Sequence, residues 1–166
     1  LHWISLERAF ARRLRGPLGS AFMLVRVSWA CLGASLAVAL GLALGLLPAR
    51  AAVLFGVLLV PGWLLGFALA VLQRIVPFLA TVHAAGAGRG APLVSTFTPE
   101  RPLAAHRLLH VAALAGLIAA VVLDSAVLAR LAALAGLAGA LAYLVFFFTV
   151  LVRLRAERPA PPAQGA

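Results

Sequence analysis

Residues 51–80 read AAVLFGVLLVPGWLLGFALAVLQRIVPFLA, and this stretch decides the fold. Arg74 is its only charged residue. A transmembrane helix needs about 20 consecutive apolar residues to cross about 30 Å of hydrocarbon, and this stretch exceeds that length. The sequence therefore predicts a membrane-spanning helix over residues 51–80, which tilts or extends beyond the hydrocarbon because it is long.

Three other stretches have the same character, and they lie at residues 20–47, 103–123 and 126–152. The chain has 166 residues, of which 64% are hydrophobic, whereas a soluble domain is about half apolar. A soluble domain of this size leaves a substantial part of its surface exposed and cannot hide so many apolar side chains. We therefore expect an all-α integral membrane four-helix bundle over residues 20–152, with the lipid bilayer as its surroundings.

The two ends of the chain are more polar than the spans. Residues 1–19 place apolar side chains on one helical face and arginines on the other. This pattern predicts an amphipathic juxtamembrane lead-in, and the alternative is the end of an earlier cytoplasmic loop. Residues 153–166, RLRAERPAPPAQGA, are polar and rich in proline, a composition that predicts a disordered tail.

The arginines predict the topology. The net charge is +10, and all 14 basic residues are arginine. All of them except Arg50 and Arg130 lie in or beside the lead-in, the 84–102 connection and the tail. By the positive-inside rule, both termini are expected in the cytoplasm. Because the arginines flank the spans, they indicate contacts with anionic lipid headgroups and not with nucleic acid.

Three histidines are the first candidate site. His106 and His110 are four residues apart, so they share one face of the third span. His83 ends the second span on the same side of the membrane, where all three imidazoles can converge. Imidazole is a ligand for copper and for haem iron. The sequence thus predicts His83, His106 and His110 as ligands of haem b or of a metal ion, copper above all. The alternative is that they are ordinary amphipathic residues near the headgroups.

Four residues at the end of the second span form a second candidate, a polar site within the membrane: Gln73, Arg74, Pro77 and Thr81. An arginine at membrane depth is costly and must reach the interface or a partner. Pro77 removes an amide from the helix, which predicts a kink there. The alternative is an interfacial arginine beside an ordinary membrane-helix proline.

The run LQRIVPFLATVHAA at residues 72–85, followed by TPERPLAAHRLLH at residues 98–110, resembles a pattern in uncharacterised multi-pass bacterial membrane proteins. Those proteins are distantly similar to the haem–copper oxidase catalytic subunit and to haem- and copper-containing membrane proteins linked to nitric-oxide stress. The resemblance implies the bacterial cytoplasmic membrane and a haem or copper environment at the three histidines. It also implies that the chain is the C-terminal four-helix part of a longer protein. The oxidase arrangement of paired histidines and a cross-linked tyrosine is absent.

The sequence leaves three functions open. It has no lysine-bearing phosphate loop and no nucleophile elbow, which favours a non-catalytic protein. The first interpretation is a redox-associated domain that binds haem or copper. The second is a structural or assembly module that docks on transmembrane helices of a longer chain or complex through small-residue stripes, such as Gly33, Ala37, Gly41 and Gly45. The third is a small-solute channel or carrier.

Overall fold

A computed structural model describes residues 22–86 and 93–156. These residues form four long helices, α1 (Met23–Ala43), α2 (Ala51–Gly86), α3 (Glu100–Leu123) and α4 (Ala126–Ala156), and a short 3-10 turn at Val94–Phe97. No strand occurs in these two ranges. Each helix is long and apolar enough to cross a membrane. The expected all-α four-helix membrane architecture is thereby confirmed.

Large apolar side chains cover the outside of the bundle. Leu36, Leu64 and Leu134 each expose more than half of their surface. A soluble monomer rarely exposes a large continuous apolar patch, because that surface is costly in water. Acyl chains remove this cost, and the helices satisfy their own backbone hydrogen bonds in the hydrocarbon.

The helix ends differ by a few residues from the expected spans. The first helix stops at Ala43, because Gly45 takes a left-handed conformation with φ of 68° that glycine adopts at little cost. The second helix runs past residue 80 to Gly86, and the fourth continues to Ala156, so residues 153–156 are helical. The lead-in at residues 1–19 and the part of the tail after residue 156 lie outside the described residues.

α2 changes its helical register at Pro61. Residues Leu58–Leu65 are π-helical, and Pro61 lies inside this segment. Proline has no N–H, so the carbonyl of Val57 cannot receive its usual bond from the residue four positions on. A π-helix takes its donor from five positions on, and this offers the amide of Gly62 to that carbonyl. Pro77, where the sequence predicted a kink, lies within the α-helical segment Gly66–Gly86.

The small residues that bring helices together are not those of the first-span stripe. Gly33 has nothing within 4 Å of the position that a Cβ would occupy, and Gly41 faces the side chain of Leu47 in the connection that follows α1. Close packing occurs instead in α2 and α3. A Cβ on Gly62 would lie 2.9 Å from the Sγ of Cys31, and one on Gly116 would lie 2.9 Å from the Cβ of Ala132. Small residues allow such close backbone approach in lipid.

α3 and α4 form an antiparallel hairpin that is the most extensive helix pair of the described chain. Asp124 makes the turn in a left-handed conformation, with φ of 51°, which aspartate tolerates better than most residues. The hydroxyl of Ser125 accepts a long hydrogen bond, 3.4 Å, from the amide of Leu128 at the start of α4. This tight connection fixes the register of the two helices and therefore which side chains face each other.

One end of the bundle, here called the arginine-rich end, holds the start of α1, the end of α2, the start of α3 and the end of α4. A buried apolar cluster joins three of these segments: Ala80, Ala84, Phe97, Leu103, Phe146 and Val150. The guanidinium of Arg153 donates a 2.7 Å hydrogen bond to the carbonyl of Thr96. The guanidinium of Arg74 lies 4.4 Å from the ring centroid of Phe22. Both ends of the described chain therefore lie at this end of the bundle.

Candidate functional site

The structure brings together two of the three candidate histidines. The imidazoles of His106 and His110 lie one turn apart on α3, with ring centroids 5.8 Å apart and planes inclined by 31°. His83 does not join them. It is exposed on α2 and lines a separate apolar groove with residues of α2 and α4, including Phe147 and Val150.

His106 and His110 line a cavity of about 550 Å³ between α2, α3 and α4. Its other lining side chains are almost all apolar, and the small ones are concentrated on α4: Pro61, Leu65, Leu69, Ala113, Leu114, Leu117, Ala132, Ala133, Gly136, Gly139, Ala140, Tyr143 and Leu144. Leu65 and Leu144 are each nearly half exposed, so the cavity opens sideways between α2 and α4. Its size and its mostly apolar walls with a few polar groups are typical of ligand pockets.

A buried hydrogen bond orients the ring of His106. Its Nδ1 lies 2.9 Å from the carbonyl oxygen of Gly139 on α4. A carbonyl oxygen only accepts, so Nδ1 carries the proton and donates it. The neutral ring then has its lone pair on Nε2, which is buried and has no hydrogen-bond partner among the described residues. Orphaned buried nitrogens of this kind are uncommon in folded proteins.

His110 has different surroundings. Its Nε2 is also buried and without a hydrogen-bond partner in the described chain. It faces Gly66 of α2, where a Cβ would lie 3.4 Å from this nitrogen, 2.8 Å from the hydroxyl oxygen of Ser28 and 3.7 Å from the carbonyl oxygen of Pro61. Gly66 thus leaves room for three polar atoms from three helices to come close together.

Tyr143 completes the polar end of the cavity. Its ring centroid lies 5.1 Å from that of His106 and 5.5 Å from that of Phe146. The sequence pointed to neither Tyr143 nor Gly139 as a site residue. The signal that was available is the four-residue spacing of Gly139 and Tyr143, which places both on one face of α4. The sequence does not give the register of α3 against α4, so it could not show that this face of α4 lies against His106.

The second candidate group does not line this cavity. Gln73 is buried, and its Nε2 has no hydrogen-bond partner among the described residues. Arg74 is exposed and lies over the ring of Phe22. Pro77 is fully buried, and its carbonyl accepts a 2.9 Å hydrogen bond from the hydroxyl of Thr81. Gln73 and Pro77 therefore share the buried face of α2, Arg74 lies outside it, and none of the four residues lines the cavity of His106 and His110.

The donor set limits what the cavity can bind. Within residues 22–86 and 93–156, no three or more His, Cys, Asp or Glu side chains converge as a metal cage. The cavity offers two imidazoles and one phenol, with Cys31 buried elsewhere against α2. Imidazole binds copper, zinc and haem iron, whereas magnesium and calcium require several oxygen ligands.

Comparison with known proteins gives no further guide. No protein-family model matches the chain, and no curated protein and no solved structure is significantly similar to it. The chemistry of the cavity beside His106 and His110 is therefore the basis for a functional proposal.

Proposed function

We propose that this chain is a redox-associated membrane domain that holds haem b or copper in the α2–α3–α4 cavity through His106 and His110. One observation carries the proposal: both imidazoles line the same cavity and both have a buried Nε2 without a hydrogen-bond partner among the described residues. When bound, haem or copper would supply reversible one-electron chemistry.

The residues present fit such a group. A ligating histidine almost always donates its other ring N–H to a carbonyl or carboxylate, as His106 does to Gly139. Ala133, Gly136 and Ala140 leave one wall of the cavity free of large side chains. His106 and His110 approach from the same helix, so they cannot coordinate the two opposite faces of one porphyrin. A haem would therefore be held by one of them, and a copper ion would be held by His106 with or without His110.

The setting of the site is part of the proposal. The arginine-rich end carries Arg26, Arg74, Arg101, Arg107, Arg153 and Arg155, and the opposite end of the described bundle carries Arg50 and Arg130. The positive-inside rule favours the arginine-rich end as the cytoplasmic one. Together with the resemblance at residues 72–110, this supports a place in the bacterial cytoplasmic membrane.

The absorption spectrum and the copper content of the purified protein test the proposal. We expect the unaltered protein to show a Soret band or about one copper per chain. The double variant His106→Ala/His110→Ala should lose whichever of these two signals the unaltered protein shows. His83→Ala is the matched control, because His83 is exposed and lines a different groove. Protein that remains colourless and copper-free after exposure to both haem and copper would rule the proposal out.

A second function has one observation in its favour. Gly33, in the small-residue stripe of α1, has open space around it, and a helix of another chain can approach there. This favours an assembly module that docks on other membrane helices. Under this function, Gly33→Leu disrupts association with a partner, while replacement of His106 and His110 changes nothing.

A solute path past Gln73, Arg74 and Thr81 has less support. The hydroxyl of Thr81 is bonded to its own helix, and Arg74 lies over Phe22 on the outside of the bundle. Of these three residues, only Gln73 is buried, and its Nε2 has no hydrogen-bond partner among the described residues.

A further inference from the structure

We infer that His106 supplies the coordinating nitrogen of the cavity and that Gly139 is the positioning residue that makes it available. This inference rests on the proposed function for the identity of the bound group. Its core, the proton position on His106, is a property of the protein alone.

The first step is the position of the proton. A neutral imidazole carries one N–H, and the 2.9 Å contact with the carbonyl of Gly139 places that proton on Nδ1. The unprotonated nitrogen is then Nε2, which is buried and has no partner in the described chain. With the opposite tautomer, Nε2 would carry a proton and could not coordinate a metal.

The second step is the absence of a side chain at residue 139. A Cβ on Gly139 would lie 3.3 Å from the Cβ of Leu109 and 3.5 Å from the backbone nitrogen of His110. Glycine therefore lets the backbone of α4 come against α3 at the level of His106. That approach brings the Gly139 carbonyl within hydrogen-bonding reach of Nδ1. A methyl group there requires its neighbours to give by a few tenths of an ångström, and this shift lengthens the contact between the Gly139 carbonyl and His106.

The third step separates the two histidines. The Nε2 of His106 belongs to a ring that is held by Gly139 and packed against Tyr143. The Nε2 of His110 faces Gly66, with the Ser28 hydroxyl and the Pro61 carbonyl close to the same point. The Ser28 hydroxyl donates to the carbonyl of Leu24 and the Pro61 carbonyl only accepts, so the groups near His110 offer it acceptors and no donor. The Nε2 of His106 has no hydrogen-bond partner among the described residues and lies beside the cavity, so its lone pair is the one we assign to a bound group.

Nitrogen-15 NMR of histidine-labelled full-length protein in detergent tests the proton position directly. The signals of His106 are identified by their loss in His106→Gln. We expect the Nδ1–H form in the unaltered protein and a shift toward the Nε2–H form in Gly139→Ala. Gly136→Ala is the matched control for the proton position, since a Cβ there would make only an ordinary 3.7 Å contact with the Cβ of Ala113. An Nε2–H or charged His106 in the unaltered protein would overturn the inference.

Two further measurements, a second-site rescue and a binding titration, test the role of Gly139. Leu109→Gly added to Gly139→Ala removes the closest clash, and we expect it to restore the Nδ1–H signal. The second measurement is the affinity of the protein for haem and, separately, for cuprous ion. We expect this affinity to fall about 10–100-fold in Gly139→Ala, as it does when other ligating histidines lose their hydrogen-bond partner. We also expect it to fall less in His110→Ala than in His106→Ala. Unchanged affinity in Gly139→Ala would count against the positioning role. If the expected tautomer is present but neither haem nor copper binds, the proposed function fails and the proton assignment stands.

Discussion

Gly62 of α2 lies so close to Cys31 of α1 that an added Cβ would be 2.9 Å from both the Cβ and the Sγ of the cysteine. Gly66, one turn further along, makes the corresponding approach to Ser28. The contact between α1 and α2 therefore depends on two missing side chains, and in lipid such packing takes the place of the hydrophobic drive.

We expect Gly62→Ala to destabilise the bundle by about 1–3 kcal/mol, because a side chain forced into a packed contact displaces its neighbours. Thermal unfolding in mild detergent measures the change. Gly56→Ala is the control on the same helix, since no atom lies within 4 Å of its Cβ position. Its stability should be unchanged or higher, because alanine favours helix over glycine by up to about 1 kcal/mol. Equal effects of the two substitutions would contradict the close contact at Cys31.

Pro61→Ala should restore an N–H inside the π-helical segment and allow Leu58–Leu65 to become α-helical. This change rotates the residues that follow, and Gly62 then no longer faces Cys31. Cys31 is the single cysteine of the chain and is buried, so its reaction with a membrane-permeant maleimide reports the change. We expect labelling to be faster by roughly tenfold for each 1.4 kcal/mol of lost packing. Labelling as slow as in the unaltered protein would show that the proline does not set this register.

Ala140→Leu should distinguish haem from copper. Ala140 lines the cavity, and a leucine there occupies space that a porphyrin needs but a single ion does not. We expect haem binding to fall at least tenfold while copper binding changes little. Ala138→Leu is the control, because Ala138 is exposed outside the cavity. If Ala140→Leu leaves haem binding intact, a haem does not occupy this cavity.

Reporter fusions test the membrane orientation. A reporter joined after Ala156 should be cytoplasmic, and one inserted at residues 48–50, between α1 and α2, should lie on the opposite face. The reason is the excess of arginine at the end where the described chain starts and finishes. Both reporters on the same face would contradict the four-span topology, and an exchange of the two faces would contradict only the orientation.

The sequence was sufficient for the spans because their signal is one of length and hydropathy alone. Residues 51–80, with Arg74 as the single charge, require lipid whatever their neighbours are. The pairing of His106 with His110 was also predictable, since a four-residue spacing fixes a shared helical face. These features depend on one helix at a time.

Features that depend on two helices were not predictable in the same way. His83 was expected beside His106 and His110, but its position follows from how α2 rotates against α4. The π-helical segment at Pro61 changes that rotation, and periodicity along the sequence gave no sign of which proline would do so. The hydrogen bond from His106 to Gly139 likewise follows from the α3–α4 register, which the turn at Asp124 sets.

The π-helical turn of α2 has two neighbours at once. Pro61 and Leu65 form part of the cavity wall, while Gly62 rests against Cys31 on the far side. A molecule in the cavity that displaces Pro61 and Leu65 must therefore also disturb the packing of Gly62 of α2 against Cys31 of α1. The occupancy of the cavity and the closeness of the α1–α2 packing are thus mechanically linked through a single turn of backbone.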